Sequence, residues 1–217
     1  MKVIVAGATG LIGGFLINDL ENDPAFHSVI ALTRKEKQDT RKIKWTLVDY
    51  DSQAQLKQIT KDADIVFCCL GTTMKTAGSE EAFRKVDYDY VVHLAMAANE
   101  NKVRQFSVIS AMGADSGSKL FYNQVKGEME EAVGGLGFSE LIIFQPSLLL
   151  GPREENRIGE KIGTAFGKLL APLMVGPVQK YRPIHVSKIA EAMIREAKIK
   201  ADRSRVLRYE EIIAMSK

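Results

Sequence analysis

The chain has 217 residues, with 46% hydrophobic and 26% charged side chains, which fits one soluble globular domain with a sizeable core. That balance excludes disordered, collagen-like and disulfide-scaffold classes. Thirty Lys+Arg against 27 Asp+Glu leave a net charge of +3 and no long basic block, so no nucleic-acid partner is expected.

The first strand is predicted at Lys2–Ala6. It runs into Gly7-Ala8-Thr9-Gly10-Leu11-Ile12-Gly13, followed by Gly14, and then into a helix over Leu11–Leu20. The start superficially resembles a signal peptide, but the regular glycines and the polar helix end argue for a folded element. A G-x-x-G-x-x-G turn between strand and helix suits a dinucleotide pyrophosphate. Glycine permits positive φ, and the missing Cβ lets backbone amides approach the phosphates. The helix start adds a partial positive charge. Gly7, Thr9, Gly10, Leu11, Ile12 and Gly13 are therefore candidate cofactor residues. No G-x-x-x-x-G-K-[ST] is present, which disfavours a nucleoside-triphosphatase.

The second strand, Ser28–Leu32, ends at Thr33-Arg34-Lys35. An NAD site usually places a carboxylate about 20 residues past the glycines. Here Arg34 and Lys35 stand at that tip, which favours the 2′-phosphate of NADP over NAD. A solvated basic turn is the plain alternative. The third strand, Lys44–Val48, leads to Asp49 and Tyr50 at its ligand-facing end. Asp49 is either a partner for the adenine amino group or a turn former. A short helix over Gln53–Thr60 follows. The fourth strand, Asp64–Leu70, carries both cysteines, Cys68 and Cys69. Adjacent, they build no disulfide framework, and no Cys/His spacing resembles a metal site. Reduced thiols in the cytoplasm are expected. Leu70, Gly71 and Thr72 close this strand beside the cofactor.

A long helix is predicted over Ser79–Asn101, with Phe83, Val86, Tyr90, Val91, Leu94 and Ala98 near helical spacing. The fifth strand, Gln105–Ser110, precedes a helix over Ser118–Val133. On that helix Tyr122 and Lys126 are four apart and share a face. A nearby ammonium favours tyrosinate, lowering a phenol from its usual value of about 10 and fitting it for proton transfer near neutral pH. Lys126 is also suited to the cofactor ribose hydroxyls. The sixth strand, Glu140–Gln145, runs into Pro146, Ser147 and Leu148. Residues 151–183 break the rhythm with four prolines and a helical pattern over Ile158–Leu170, whose Gly159, Gly163 and Gly167 share a face. Close helix packing or a flap over a substrate are the two readings. A helix over Ser187–Lys198 and a strand over Ser204–Tyr209 end the pattern. No uncharged apolar stretch approaches the ~18 residues of a membrane span.

Alternating strands and helices give an α/β fold, a doubly wound parallel sheet of the Rossmann type, over one domain of residues 1–217 with a divergent substrate or lid region at about 151–183.

The chain resembles the short-chain dehydrogenases/reductases of the atypical or extended, epimerase/dehydratase-like type. The resemblance is carried by GATGLIGG at 7–14, LGTT at 70–73, Tyr122 with Lys126, QPSLLLGPR at 145–153 and RPIHVSKIA at 182–190. LGTTMKTAGSEEAFRKVDYDYV and FYNQVKGEMEEAV are similar to the Tat-interacting-protein-like branch. The resemblance implies that Tyr122 and Lys126 are the catalytic pair. It also implies a catalytic hydroxyl near the end of the fifth strand. Ser110 is the provisional candidate because Ala111 follows it, with Ser116 or Ser118 as substitutes. Gln145, Pro146, Ser147 and Leu148 match the segment near the nicotinamide, with Gln replacing the usual Arg. His185 matches a helix-entry element, for which a capping or packing role is expected.

The expected activity is NADP-dependent hydride transfer to or from a small carbonyl or alcohol. The alternatives are an NADP-binding sensor with little turnover, which Ala111 favours, and a nucleotide-sugar epimerase or dehydratase, for which the region after Gly151 is short. A homodimer or protein partner is left open.

Overall fold

The computed structural model describes residues 1–151, 181–201 and 203–216. Its strands are β1 (Lys2–Ala6), β2 (Ser28–Thr33), β3 (Ile43–Leu47), β4 (Ile65–Cys68), β5 (Gln105–Ile109), β6 (Glu140–Phe144), β7 (Leu149–Leu150), β8 (Ile184–His185) and β9 (Arg203–Leu207). Among the described residues, seven of these form one wholly parallel sheet in the order β3-β2-β1-β4-β5-β6-β9. The helices are α1 (Leu11–Asn22), α2 (Gln53–Thr60), α3 (Met74–Ala77), α4 (Glu80–Arg84), α5 (Tyr90–Glu100), α6 (Phe121–Gly134), α7 (Val186–Lys198) and α8 (Tyr209–Met215).

The near-continuous apolar strands follow from helices on both sides of the sheet. Val3 and Val5 of β1 point into a core with Leu16 and Leu20 of α1 and Ile189 and Met193 of α7. Ile4 and Ala6 point the other way, to Leu56 of α2, Val91 and Leu94 of α5, and Met129 and Val133 of α6. Each of these Val, Leu, Ile and Met side chains, fully buried, contributes about 1.5–3 kcal/mol before chain entropy is subtracted. Glu196, wholly buried on α7, ties that helix to β9 through Arg203 and through Arg205 at 2.9 Å.

The chain leaves β1 toward β2 and β3, then returns to β4 on the other side of β1. This reversal opens a crevice at the carboxyl ends of β1 and β4, the place where doubly wound sheets take ligands. The expected elements sit at these positions with small shifts at their ends. The helix expected from Ser118 begins at Phe121, because the Ser118 hydroxyl accepts the Leu120 amide and holds a turn. The last strand ends at Leu207, and Tyr209 opens α8, capped by the Glu211 carboxylate, which accepts the Arg208 amide at 2.7 Å. The helix expected over Ser79–Asn101 contains a π turn at Lys85–Asp89. Val86 and Tyr90 are consequently half-buried, and Asp87 takes the buried face. The short α3, α8 and the β7–β8 pair carried no periodicity strong enough to be read. The expected helix at Ile158–Leu170, its glycine stripe, and most of the 151–183 region lie outside the described residues.

Candidate active site

The glycine loop owes its shape to atoms that are absent. Gly7 has φ +71, and a Cβ there would lie 2.4 Å from the Cys69 carbonyl oxygen, so the loops after β1 and β4 touch. A Cβ on Gly13 would fall 2.2 Å from the Gly7 oxygen, so α1 presses directly on the loop. The Gly10 amide donates to the Gly7 carbonyl at 2.9 Å. Gly10 caps α1 with no side-chain hydrogen bond, and the first turn of α1 carries no acidic residue. The positive end of a 12-residue helix is thus left without a side-chain anion of its own. Thr9 and Gly10 are exposed, Leu11 is half-buried and Ile12 is buried.

Arg34 and Lys35 are exposed at the tip of β2, and Lys35 is held there by reciprocal bonds with the Thr33 hydroxyl. Lys37 instead lies 4.5 Å over the Trp45 ring. Tyr50 requires a correction. It is only 7% exposed, its ring stacks on Tyr90 at 5.1 Å, and its hydroxyl lies by the Gly7 amide. Burial raises its pKa, against the weaker opposing pull of the Gly7 amide and Arg34. Tyr50 therefore supports the glycine loop from inside the protein, because the stacking on Tyr90 draws it under the loop. Asp49 spends one carboxylate oxygen on the Asp51 amide at 3.0 Å, the turn-forming alternative.

Across the crevice, Phe83 is buried and its ring meets Tyr122 at 5.5 Å between centroids, while Tyr122 itself is 39% exposed. Lys126 is 3% exposed, and its ammonium lies 2.7 Å from Asp87 Oδ1. Asp87 Oδ2 accepts the Thr72 amide at 2.8 Å. Gly71 runs over this pair: a Cβ there would be 3.4 Å from Asp87 Oδ1 and 3.9 Å from Lys126 Nζ. Gly71 and Thr72 therefore meet the Asp87–Lys126 pair at one place. Asp87 was missed. The signal was available, because Asp87 lies four residues after Phe83 and four before Val91, on the apolar stripe of its helix.

The expected acidification of Tyr122 is overturned. Burial raises its pKa above the usual 10.0, Lys126 pulls it down, and Asp87 pushes it up again. Burial alone would make Lys126 easier to deprotonate, but Asp87 and Tyr122 outweigh it, and Lys126 keeps its proton more tightly than a free lysine. Burial also pushes the nearby Cys68 thiol up to about 12, which leaves it neutral and unreactive.

Ser110, at the end of β5, is 4% exposed, and its hydroxyl has no hydrogen-bond partner among the described residues. Buried hydroxyls are rarely left unpaired, and such an orphan asks for a ligand atom. The substitutes are committed elsewhere. The Ser116 hydroxyl bonds Glu131, which lies nine residues from Tyr122 and so on the opposite face of α6, and Ser118 holds its turn. The Gln145 side chain does not extend toward a cofactor. Its amide donates at 3.0 Å to both Glu130 oxygens, because α6 packs beside the end of β6. The Ser147 hydroxyl donates to the Arg182 carbonyl. Pro146 accepts the Met112 amide at 3.1 Å, and the Leu148 side chain is exposed. His185 caps α7, as expected. Among the described residues no cluster fits a metal ion, and no helix is long and apolar enough to cross a membrane.

A nicotinamide dinucleotide fits these residues. The glycines at 7, 10 and 13 let the loops after β1 and β4 and the start of α1 close on one another with bare backbone, the first turn of α1 carries no acidic residue, and the Ser110 hydroxyl has no partner among the described residues. The residues that match a family model described as NAD(P)H-binding run from 7 to 164, and the chain belongs to that family. The curated relatives place it more narrowly, in the atypical short-chain dehydrogenase/reductase branch. Protein FMP52, mitochondrial, of Candida albicans is 36% identical over 174 residues, covering 77% of this chain and 76% of that protein. Protein HTATIP2 of Rattus norvegicus is 34% identical over 169 residues, covering 76% and 69%. Among solved structures, MoeE5 in complex with UDP-glucose and NAD aligns over 100% of this chain and 81% of its own, with TM-score 0.70 and 17% identity. UDP-glucose 4-epimerase from Thermotoga maritima aligns over 96% and 77%, with TM-score 0.71 and 14% identity. These two likenesses concern the fold.

Proposed function

We propose that the protein is an NADP-dependent reductase of small carbonyl compounds. The observation that supports this reading is that the glycine loop after β1, the buried Lys126 against the loop after β4, and the Ser110 hydroxyl, without a partner among the described residues, all lie at the carboxyl ends of the neighbouring strands β1, β4 and β5. The backbone amides of residues 9–13 would hold the pyrophosphate, Arg34 and Lys35 the 2′-phosphate, and Lys126 a ribose hydroxyl. The bound coenzyme supplies the hydride. Ser110 donates a hydrogen bond to the substrate oxygen and polarises its carbonyl. Tyr122 donates the proton that turns the carbonyl oxygen into a hydroxyl. Because Tyr122 keeps its proton well past neutrality, reduction is the direction its chemistry supports, and alcohol oxidation, which needs tyrosinate, is disfavoured near pH 7. The free thiols, Cys68 buried and Cys69 half-buried, fit a reducing compartment, and the cytoplasm is our proposed location.

One observation favours a second reading, an NADP-holding sensor with little turnover: Asp87 neutralises the charge that would activate Tyr122. Mixing the protein with NADPH and a panel of aldehydes and ketones separates the two. Absorbance loss at the NADPH band that disappears in Tyr122→Phe supports the reductase. Tight NADPH binding with no turnover on the whole panel supports the sensor.

A further inference from the structure

Asp87 and Lys126 form an ion pair that the reaction outlined above does not require. Both are almost fully buried, at 1% and 3% exposure. Removing two charges from water costs several kcal/mol per ion, and an apolar pair of similar size often serves stability as well or better. A packing role alone therefore does not account for the pair. Its position does suggest a role. Asp87 sits in the π turn at Lys85–Asp89, a widened turn of the kind that recurs at functional sites. One carboxylate oxygen meets the ammonium on α6 at 2.7 Å, and the other takes the Thr72 amide of the loop after β4 at 2.8 Å.

We propose that Asp87 is a positioning residue of this site: its carboxylate clamps the Lys126 ammonium to the loop Gly71-Thr72, so that Lys126 stands beside Tyr122 as one half of a neutral pair. The inference rests on the reductase reading for its consequence, but not for its test. The charged and titratable groups facing the pair among the described residues are Tyr122 on α6 and Cys68 on β4. Tyr122 faces Lys126 and Asp87 together with the uncharged Phe83 ring. With Asp87 neutral, the ammonium would act on Tyr122 unopposed and favour its anion.

Asp87→Asn tests this, because the amide oxygen keeps an acceptor for Thr72 while the charge is lost. Alkaline absorbance titration of the cofactor-free protein, with Tyr122→Phe and Asp87→Asn/Tyr122→Phe as references, isolates the Tyr122 phenol. The expected result is ionisation about one pH unit or more lower in Asp87→Asn than in wild type. In turnover, the upper limb of the reduction pH profile moves down by the same amount, with KM for the carbonyl unchanged. An unmoved Tyr122 titration in a folded Asp87→Asn or Asp87→Ser protein overturns the proposal. A second measurement needs no variant: in wild type the Thr72 amide exchanges its hydrogen slowly, and exchange at the rate of an unprotected amide overturns the clamp. Neither the titration nor the exchange depends on turnover, so a protein that reduces nothing on the panel leaves both readable. The reductase reading would then fail without the clamp failing.

Discussion

Two neighbouring glycines should respond to the same substitution in opposite ways. In Gly13→Ala the new methyl would lie 2.2 Å from the Gly7 oxygen, 2.8 Å from the Gly7 carbonyl carbon and 2.9 Å from Ala8 Cα. An ordinary carbon–oxygen contact is about 3.3 Å, so α1 must back away from the loop by about 1 Å. The obstructing atoms are backbone and cannot rotate aside. Overpacking of this kind costs about 1–3 kcal/mol. At about 2–4 °C per kcal/mol for a domain of this size, Tm should fall by about 2–12 °C. In Gly14→Ala the methyl meets no atom of the described residues within 4 Å. Replacing a helical glycine gains about 0.5–1 kcal/mol, so Tm should rise by about 1–4 °C. Calorimetry gives the melting points and NADPH fluorescence titration gives Kd. Gly13→Ala should weaken NADPH at least tenfold, about 1.4 kcal/mol, and Gly14→Ala should bind as wild type. Unchanged melting and binding in Gly13→Ala, or equal losses in both variants, would refute the packing of α1 on the loop.

Ser110→Ala removes a buried hydroxyl that has no partner among the described residues, so Tm should hold or rise slightly while carbonyl reduction falls about 10–10³-fold; a clear loss of stability with full activity would show the hydroxyl to be structural. Arg34→Ala should raise the Kd for NADPH about tenfold or more and leave NADH unchanged, as read by paired fluorescence titrations; equal losses for both coenzymes would remove the 2′-phosphate contact. Because the Tyr122 pKa lies above the usual 10.0, the protonated, donating form prevails at neutral pH. Reduction should stay level from about pH 6 to 9 and fall only as the phenol ionises above about pH 10, while alcohol oxidation climbs with pH over the same range. A reduction rate that falls through pH 7–8 in steady-state assays would place the proton on another group.

The sheet was legible because its strands are buried on both faces and read as apolar runs, and because the glycines at 7, 10 and 13 lie between a strand and a helix. Local chemistry that depends on a second element was not. Tyr50 sits at a ligand-facing strand end in sequence, yet its stacking on Tyr90 draws it under the loop. Gln145 looked like a cofactor residue, but Glu130 on α6 claims its amide. Tyr122 and Lys126 were found by their spacing, whereas the sign of the effect on Tyr122 depended on burial and on Asp87. Spacing along one helix cannot reveal a counter-ion on another. Asp87 itself left a trace in the sequence, a carboxylate on an otherwise apolar stripe, and a π turn then turned it fully inward.

A crystal structure of the complex with NADPH tests the central claim most directly. The account predicts the pyrophosphate on the backbone amides of residues 9–13, the ribose within hydrogen-bonding distance of Lys126, and the nicotinamide between Tyr122 and Ser110. A dinucleotide bound elsewhere, or one whose nicotinamide lies away from the Tyr122 hydroxyl, would contradict it.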